Sequence, residues 1–453
     1  MTVAYDWLAE AFFEEPDLDS LDGGTTSHGP LWHAITPRWG HSMHTMCPYQ
    51  GMFPPRLAHY FINQYSEPGD MVLDPFSGRG TTTLQARVEG RRTISNDLSP
   101  LGYVLSAAKA NPPSWSAINE FVNKLERAFK RRANREIDAP DDIRMLFHEN
   151  TLRQIVFIRA CLLQTPIMRW NNEELMLAGA LAGILHGSHR PDGSSLYLSI
   201  SMPNTFSMAP TYVKNFIREH NLKKIDQNVF DCLRVKLSKI YLDSVEGGAG
   251  SAFSEDAPYL LKKKDFATSS VDLVVTSPPY LQVVNYGTSN WIRLWLLGLD
   301  EVSRHGGTGR LALDAGLDHQ HRFDAYRDFL LRSFKGVRRV LKKDGVAVFV
   351  IGDVASADGT SIDLAKTVWG DIGNQTGLRL LDLIEDSLQS QNKVSRIWGE
   401  TKGRATNQEC VLILARSDGE PAMPNHEVDW DEPYKDGGPD AAHAGARYQR
   451  IAS

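Results

Sequence analysis

Cysteine is scarce here, and charge of neither sign dominates. Four cysteines in 453 residues (Cys47, Cys161, Cys232, Cys410) stand far apart, with no CxxC pair. That spacing excludes a disulfide-stapled secreted scaffold and a thiolate-rich zinc module, and it fits a reduced, cytoplasmic protein. No apolar run reaches the roughly 20 residues that a membrane-spanning helix needs, and no secretory-type apolar stretch follows Met1. No membrane contact is expected. Lys and Arg number 49 against 55 Asp and Glu, a net charge of −6, so a uniformly basic surface is excluded and a polyanionic partner must be met by local patches. No internal repeat is visible. What is present is enough apolar matter, 42% of residues, to bury one large core or two ordinary ones.

Along the chain, residues 1–48 are irregular, with LDGGTTSHGP read as a loop. From Phe53 the pattern tightens. FPPRLAHYFINQY places Leu57, Tyr60, Phe61 and Tyr65 on one helical face behind two prolines that suit a helix start. Then PGDMVLDPFSGRGTTTLQARVEGRRTISNDLSP reads in order as a turn, a strand (Met71 to Leu73), a glycine loop, a helix (Thr81 to Val88) and a second strand (Arg92 to Ser95). That is the first half of a βαβ unit. From about Ala108 to Gly250 five helical segments follow, interrupted by the polar, proline-punctuated SHRPDGSSLYLSISMPNTFSMAP, a loop or small hairpin. Strand and helix alternate again afterwards. VDLVVTS reads as a strand and FDAYRDFLLRSFKGVRRVL as a helix with Phe323, Tyr326, Leu330, Phe334, Val337 and Leu341 at core spacing. GVAVFVIG is another strand, and KVSRIWG and ECVLILAR are two strands around a basic turn. The tail from Ser417, rich in Gly, Pro and acid, is expected to be loosely held.

Two corners carry chemistry. In DPFSGRGTT, Gly78 and Gly80 lie between a strand and a helix, where a missing side chain lets the backbone turn sharply and approach a ligand. Asp97 ends the second strand, at the place where an acid takes ribose hydroxyls. The same glycines also suit an ordinary tight turn. The loop lacks the Lys-Ser/Thr of a phosphate-binding loop and the third glycine of the dinucleotide fingerprint, so a nucleoside cofactor without a pyrophosphate fits best. The other corner is Ser277-Pro278-Pro279-Tyr280, delivered by the apolar run Val271, Leu273, Val274, Val275. Prolines stop that strand at Thr276. Taken alone, the tetrapeptide is equally a rigid strand-to-loop corner. HSMHTMC sets His41, His44 and Cys47 at three-residue steps, but a closed zinc site needs a fourth ligand, so no metal is expected.

DPFSGRGTT followed by TSPPY resembles the S-adenosylmethionine-dependent DNA amino-methyltransferases, whose cofactor motif has the form DPFxGxGTT and whose catalytic motif is [DNS]PP[YFW]. The likeness extends over GMFPPRLAHYFINQYSEPGD, SEDAPYLL and the later strands. It implies a doubly wound, mostly parallel α/β sheet with a C-terminal β-hairpin. It also implies S-adenosylmethionine as cofactor, with Phe53, Asp74, Phe76, Gly78, Gly80 and Thr81 at contact distance, Asp97 at the ribose and Asp256 at the adenine edge. An exocyclic amine is a poor nucleophile because its lone pair is delocalised into the ring. Ser277 Oγ and the Pro278 carbonyl are suited to accept its hydrogens and free that pair, Pro279 helps to fix the backbone, and Tyr280 is suited to stack on a flipped base.

A serine at the first catalytic position resembles the cytosine-N4 enzymes more than the adenine-N6 ones, so the expected reaction is N4 methylation of cytosine in DNA. Adenine-N6 methylation and methylation of an RNA base are the alternatives. A restriction-modification setting with a cognate endonuclease is the expected context. Here the cofactor loop precedes the catalytic strand, the reverse of many relatives with this style of glycine loop. The expected division is a catalytic domain over 49–107 and 251–416, a helical insert over 108–250 as target-recognition candidate, and a flexible tail over 417–453. On the insert, Arg127, Lys130, Arg131 and Arg135 are candidates for phosphate; Arg190 on the insert and Arg404 in the later KGRATNQ loop are candidates for base edges or the displaced strand. A solvated helix face and ordinary polar loops explain the same residues equally well.

Overall fold

Continuous apolar runs can be buried on both faces only in the middle of a sheet covered by helices, and the strands read from such runs sit there. The computed structural model describes residues 32, 35, 39–49, 51, 54–131, 137–189, 195–203, 209–279, 281, 286–299, 323–355, 361–387, 408–425, 428–432 and 434–435. Helix α1 (Pro55–Tyr65) starts with proline at its first turn and buries Leu57, Ala58, Phe61 and Ile62. Strand β1 (Met71–Asp74), helix α2 (Thr81–Val88) and strand β2 (Arg92–Asn96) then form the expected half-unit, each within a residue of its expected bounds.

After β2 the chain enters α3 (Pro100–Ala110), α4 (Trp115–Lys130), α5 (Asp141–Arg144), α6 (Glu149–Leu162), α7 (Asn172–Ile184), α8 (Pro210–Glu219) and α9 (Val229–Ile240) before returning through β3 (Gly250–Phe253). It continues with α10 (Ala257–Leu260), β4 (Val271–Thr276), α11 (Tyr286–Leu296), α12 (Phe323–Val340) and β5 (Leu341–Gly352). The short pair β6 (Val354–Ala355) and β7 (Ser361–Ile362), helix α13 (Leu364–Ile372), β8 (Leu378–Ser387) and β9 (Gln408–Arg416) complete the order. The sheet has seven strands in the order β3-β2-β1-β4-β5-β9-β8. The first five are mutually parallel, and β9 runs antiparallel between β5 and β8. This is the doubly wound sheet with a C-terminal hairpin that the sequence implied.

Period-two alternation divides the two faces. Leu73, Val274, Ala347 and Phe349 join α12 and α13 on one side, while Val72, Leu273, Val275 and Val348 join α1 on the other. A third cluster holds α4, α6, α7 and α9 against Val104 and Leu105 of α3, Met43 and Met46, and Trp291 and Trp295 of α11. Helix α7 is buried all round, from Leu175 to Ile184, as its lack of a polar face requires.

Two expectations need correction, and one lies outside the described residues. The helical region begins at Pro100 rather than near Ala108, because Pro100 opens α3. The described partner of β9 is β8 at Leu378–Ser387; KVSRIWG lies outside the described residues. The start of the tail is docked rather than loose. Trp430 packs its ring 4.9 Å from His59 and 5.6 Å from Trp39, the Ser244 amide donates to the Tyr434 carbonyl at 2.9 Å, and Lys435 Nζ donates to the Gly40 carbonyl at 2.9 Å. Among the described residues, no helix is long and apolar enough to cross a membrane.

Candidate active site

In a parallel sheet the loops at the strands' carboxyl ends gather on one edge, and where the order turns from β1 to β4 they leave a crevice. The glycine corner follows β1 there, Asp97 follows β2, Asp256 follows β3 and Ser277 follows β4. Gly78, Asp97, Asp256, Ser277 and Pro279 line a single cleft with about 660 Å³ of space, its open mouth included.

The glycine corner is held from several sides. Gly78 and Gly80 have φ of +48° and +73°, the left-handed region that side chains resist. A Cβ on Gly80 would stand 3.0 Å from the Ser106 Cα, so α3 packs directly on the turn. Ser77 Oγ shares a hydrogen bond with Ser106 Oγ at 2.8 Å, and Lys109 Nζ donates to the Arg79 carbonyl at 2.5 Å. Thr81 opens α2 and is buried.

Asp97 accepts from the Gly78 amide at 2.7 Å and from the Ser99 amide at 2.8 Å, one on each carboxylate oxygen. Each oxygen keeps a further lone pair for a sugar hydroxyl. Burial pushes its pKa up to about 6 against those two amides. Asp74 is buried more deeply, and burial raises it to about 7 while the Thr276 hydroxyl and the Phe76 amide pull the other way. Thr276 Oγ1 donates to Asp74 Oδ1 at 2.6 Å, so the two sequence corners are tied directly to each other.

On the rim, Ser277 Oγ donates to the Val350 carbonyl at 3.0 Å. A hydroxyl that has given its one hydrogen to a carbonyl can only accept from a further partner. Pro278 is buried and Pro279 borders the cleft. Phe76 also lines the cleft and packs on Phe329 with ring centroids 5.4 Å apart. Asp256 stands before α10, next to Glu255, whose carboxylate is paired with Lys263 at 2.6 Å.

Tyr280 and Phe53 lie outside the described residues, as do Arg135, Arg190 and Arg404. Arg127, Lys130 and Arg131 are exposed at the end of α4, and none of them lines the cleft. Two already have acid partners: Arg127 pairs with Glu120 at 2.5 Å and Lys130 with Glu126 at 2.8 Å. His41 and His44 each bond within the protein, to the Ser244 carbonyl at 2.8 Å and to Gln85 Oε1 at 3.1 Å. Among the described residues no His, Cys and acid group could hold a metal.

Four residues of the site were not anticipated. Tyr49 lies against Gly78, 3.2 Å from where a Cβ would stand, and its phenol is raised well above the usual value by burial and by Asp97. Tyr286 sits 6.3 Å from it, ring to ring, on the cleft wall. Asn96 clips the corner shut by donating to the Pro75 carbonyl at 3.1 Å and the Glu255 carbonyl at 3.0 Å. Thr276 was read only as a strand end. A polar residue closing an apolar strand was the available signal for Thr276, and adjacency to Asp97 for Asn96; the segment around Tyr49 has no period to read.

The cleft suits an adenosyl sulfonium cofactor: an acid with spare acceptors for a diol, a glycine corner with no Cβ in the way and, among the described lining residues, no lysine or arginine to mark a pyrophosphate seat. A family profile described as DNA methylase matches residues 14–107 and 271–437. The Type II methyltransferase M.BsoBI of Geobacillus stearothermophilus is 23% identical over 290 residues, 57% of this chain and 53% of that one. M.MvaI of Kocuria varians is 23% identical over 248 residues, 51% of this chain and 52% of that one. M.MjaII of Methanocaldococcus jannaschii is 37% identical over 67 residues, 15% and 13% of the two chains. The chain thus spans about half or less of the length of these curated relatives.

Proposed function

The chain belongs to the DNA methylase family whose profile covers more than half of it, and from that premise we propose that it methylates the exocyclic N4 amine of cytosine in DNA. The family's cofactor, S-adenosylmethionine, supplies when bound a methyl group activated on a sulfonium. Asp97 takes the ribose hydroxyls on its free lone pairs, and Asp256 meets the adenine edge. Phe76 and the bare backbone of Gly78 and Gly80 border the donor. Across the cleft, Ser277 Oγ accepts one hydrogen of the target amine and the Pro278 carbonyl the other, which localises the nitrogen lone pair for in-line attack. The two prolines hold those acceptors so that little reorganisation accompanies the step. Tyr280 stacks on the base after it leaves the helix. The observation that carries this reading is that Gly78, Asp97, Ser277 and Pro279 border one cleft.

Cytosine is favoured over adenine because a serine at the first rim position resembles the cytosine-N4 enzymes; its hydroxyl, donating to the Val350 carbonyl, can accept from the target amine. In the same reading the region between β2 and β3 recognises the target, with Arg127, Lys130, Arg131 and Arg135 at phosphates and Arg190 at base edges or the displaced strand, joined there by Arg404 from the segment between β8 and β9. A cognate restriction endonuclease completes the system. The test is to incubate the purified protein with methyl-labelled S-adenosylmethionine and DNA or RNA, then digest to nucleosides. Label in N4-methyldeoxycytidine is the expected result. Label in N6-methyldeoxyadenosine overturns the base assignment, label in RNA the polymer, and no label the activity itself. DNA from cells expressing the protein should also resist one endonuclease that cuts control DNA.

A further inference from the structure

The ladder between β1 and β4 pairs Val72 with Leu273 and Leu73 with Val274, and stops there. The reactive corners begin one residue later on β1, at Asp74, and three later on β4, at Ser277, where pairing between these two strands no longer sets their offset. Hydroxyls continue the register. Thr276 Oγ1 donates to Asp74 Oδ1 at 2.6 Å, and Thr82 Oγ1 donates to the Val275 carbonyl at 3.1 Å, both in the buried interior. Asp74 Oδ1 also accepts the Phe76 amide at 3.1 Å. One carboxylate oxygen therefore joins the end of the catalytic strand to the start of the glycine corner.

We propose that Thr276 is a positioning residue for methyl transfer, its hydroxyl setting through Asp74 how far the cofactor corner stands from the Ser277–Pro279 rim. This rests on the methyltransferase reading above. The anchoring of the two corners supports it. On its other side β4 is held by backbone pairing of Thr276 with Phe349 and by the Ser277 bond to Val350, and the glycine corner is held on its own outer side by pairing of Asp74 with Ser95 and by the Ser77 amide on the Asn96 carbonyl. Loss of the Thr276 hydroxyl would therefore loosen the offset between two corners that each stay attached to their outer neighbour. An offset near 1 Å between donor and acceptor costs on the order of 100-fold in rate. The groups facing Asp74 are Thr276 from β4, Thr82 from α2 and the Phe76 amide, and the charged neighbour acting on it is Asp97.

The test compares Thr276→Val, Thr276→Ser and Thr276→Cys with the wild type in two assays. One is single-turnover transfer of label to DNA across pH. The other is amide hydrogen exchange at residues 74–78 in the cofactor-free protein. The valine variant is expected to slow transfer on the order of 10- to 100-fold, to move the acid limb of the rate profile upward as Asp74 loses a donor, and to speed exchange at Phe76. Serine restores all three. Cysteine, a weak donor of similar size, falls between, and the serine–cysteine order keeps the test alive should the valine variant not fold. Wild-type rate and exchange in the valine variant, slowed transfer with unchanged exchange, or cysteine matching serine would each overturn the proposal. A wild type that puts no label into DNA overturns the methyltransferase reading instead; the exchange arm then still decides whether Thr276 holds the corner.

Discussion

Replacing Asp74 with asparagine should stabilise the cofactor-free protein at neutral and alkaline pH. Asp74 is 2% exposed, and burial raises its pKa from 3.8 to about 7. A carboxyl whose folded value lies above its unfolded one gives stability that is complete below the unfolded value and is lost as pH rises through the folded value. At 1.36 kcal/mol per pH unit, the interval from 3.8 to about 7 corresponds to a loss of roughly 4 kcal/mol by pH 8. Asparagine carries no such dependence and fits the surroundings. Its Oδ1 can accept from Thr276 Oγ1 and the Phe76 amide as the carboxylate oxygen does. Its amide can donate to the Thr82 hydroxyl, whose hydrogen reaches the Val275 carbonyl. In a chain of 453 residues, 4 kcal/mol moves the melting temperature by roughly 4 °C. Calorimetry of both proteins from pH 4 to 9 should give curves that meet at the acid end, diverge up to about pH 7 and run parallel above it. Curves parallel throughout would show that burial does not hold this carboxyl protonated, and the electrostatic account of the corner would fail.

Ser277→Ala should cut turnover by about 100-fold or more with little change in cofactor affinity, since it removes the acceptor that the proposed mechanism places at the reacting amine; equilibrium binding and single-turnover rates separate the two. Asp97→Ala should do the reverse, weakening cofactor binding about 30-fold or more through the lost charge-assisted bonds to the ribose, and equal loss of affinity in both variants would contradict the roles assigned. Gly80→Ala forces a left-handed residue against the Ser106 backbone and should cost about 1–3 kcal/mol in chemical denaturation. Trp430→Ala removes a ring packed on His59 and Trp39; thermal melting should fall by an amount corresponding to about 1–3 kcal/mol if the docked tail supports the N-terminal segment, and stay unchanged if it does not.

The interior of the sheet was legible because burial on both faces leaves unbroken apolar runs, such as VDLVV and GVAVFVIG. Its margins were not. Strand β3 is Gly-Ser-Ala-Phe, an edge strand with Ser251 exposed, the other three half-buried and no inward–outward alternation. Strand β8 contains an irregularity between Leu380 and Asp382, and one extra residue reverses the inward and outward sides beyond it, which erases the period-two pattern. The tail was judged on its glycine, proline and acid content, a composition that hides its two anchors, Trp430 and Tyr434. Within the site, residues whose chemistry needs a particular side chain were visible as motifs. Those that act through one hydrogen bond across the sheet, Asn96 and Thr276, depend on a neighbour 159 and 202 residues away, and no local pattern carries that information.

The helices between β2 and β3 divide the sheet in sequence without standing apart from it in space. Val104 and Leu105 of α3 belong to the same apolar cluster as Leu177 and Leu181 of α7, Leu233 of α9 and Ile118 of α4, so the region has no core separable from α3. Other positions of α3 hold the glycine corner, through Ser106 to Ser77 and Lys109 to Arg79. A single helix therefore packs against both the candidate recognition elements and the cofactor turn. Close packing passes displacement along such a rigid helix. Removing residues 115–240 would expose Val104 and Leu105 and withdraw support from the helix whose Ser106 Cα lies 3.0 Å from where a Cβ on Gly80 would stand. The glycine corner is thus braced by α3, which itself packs on the inserted helices, as well as by the strand that leads into it.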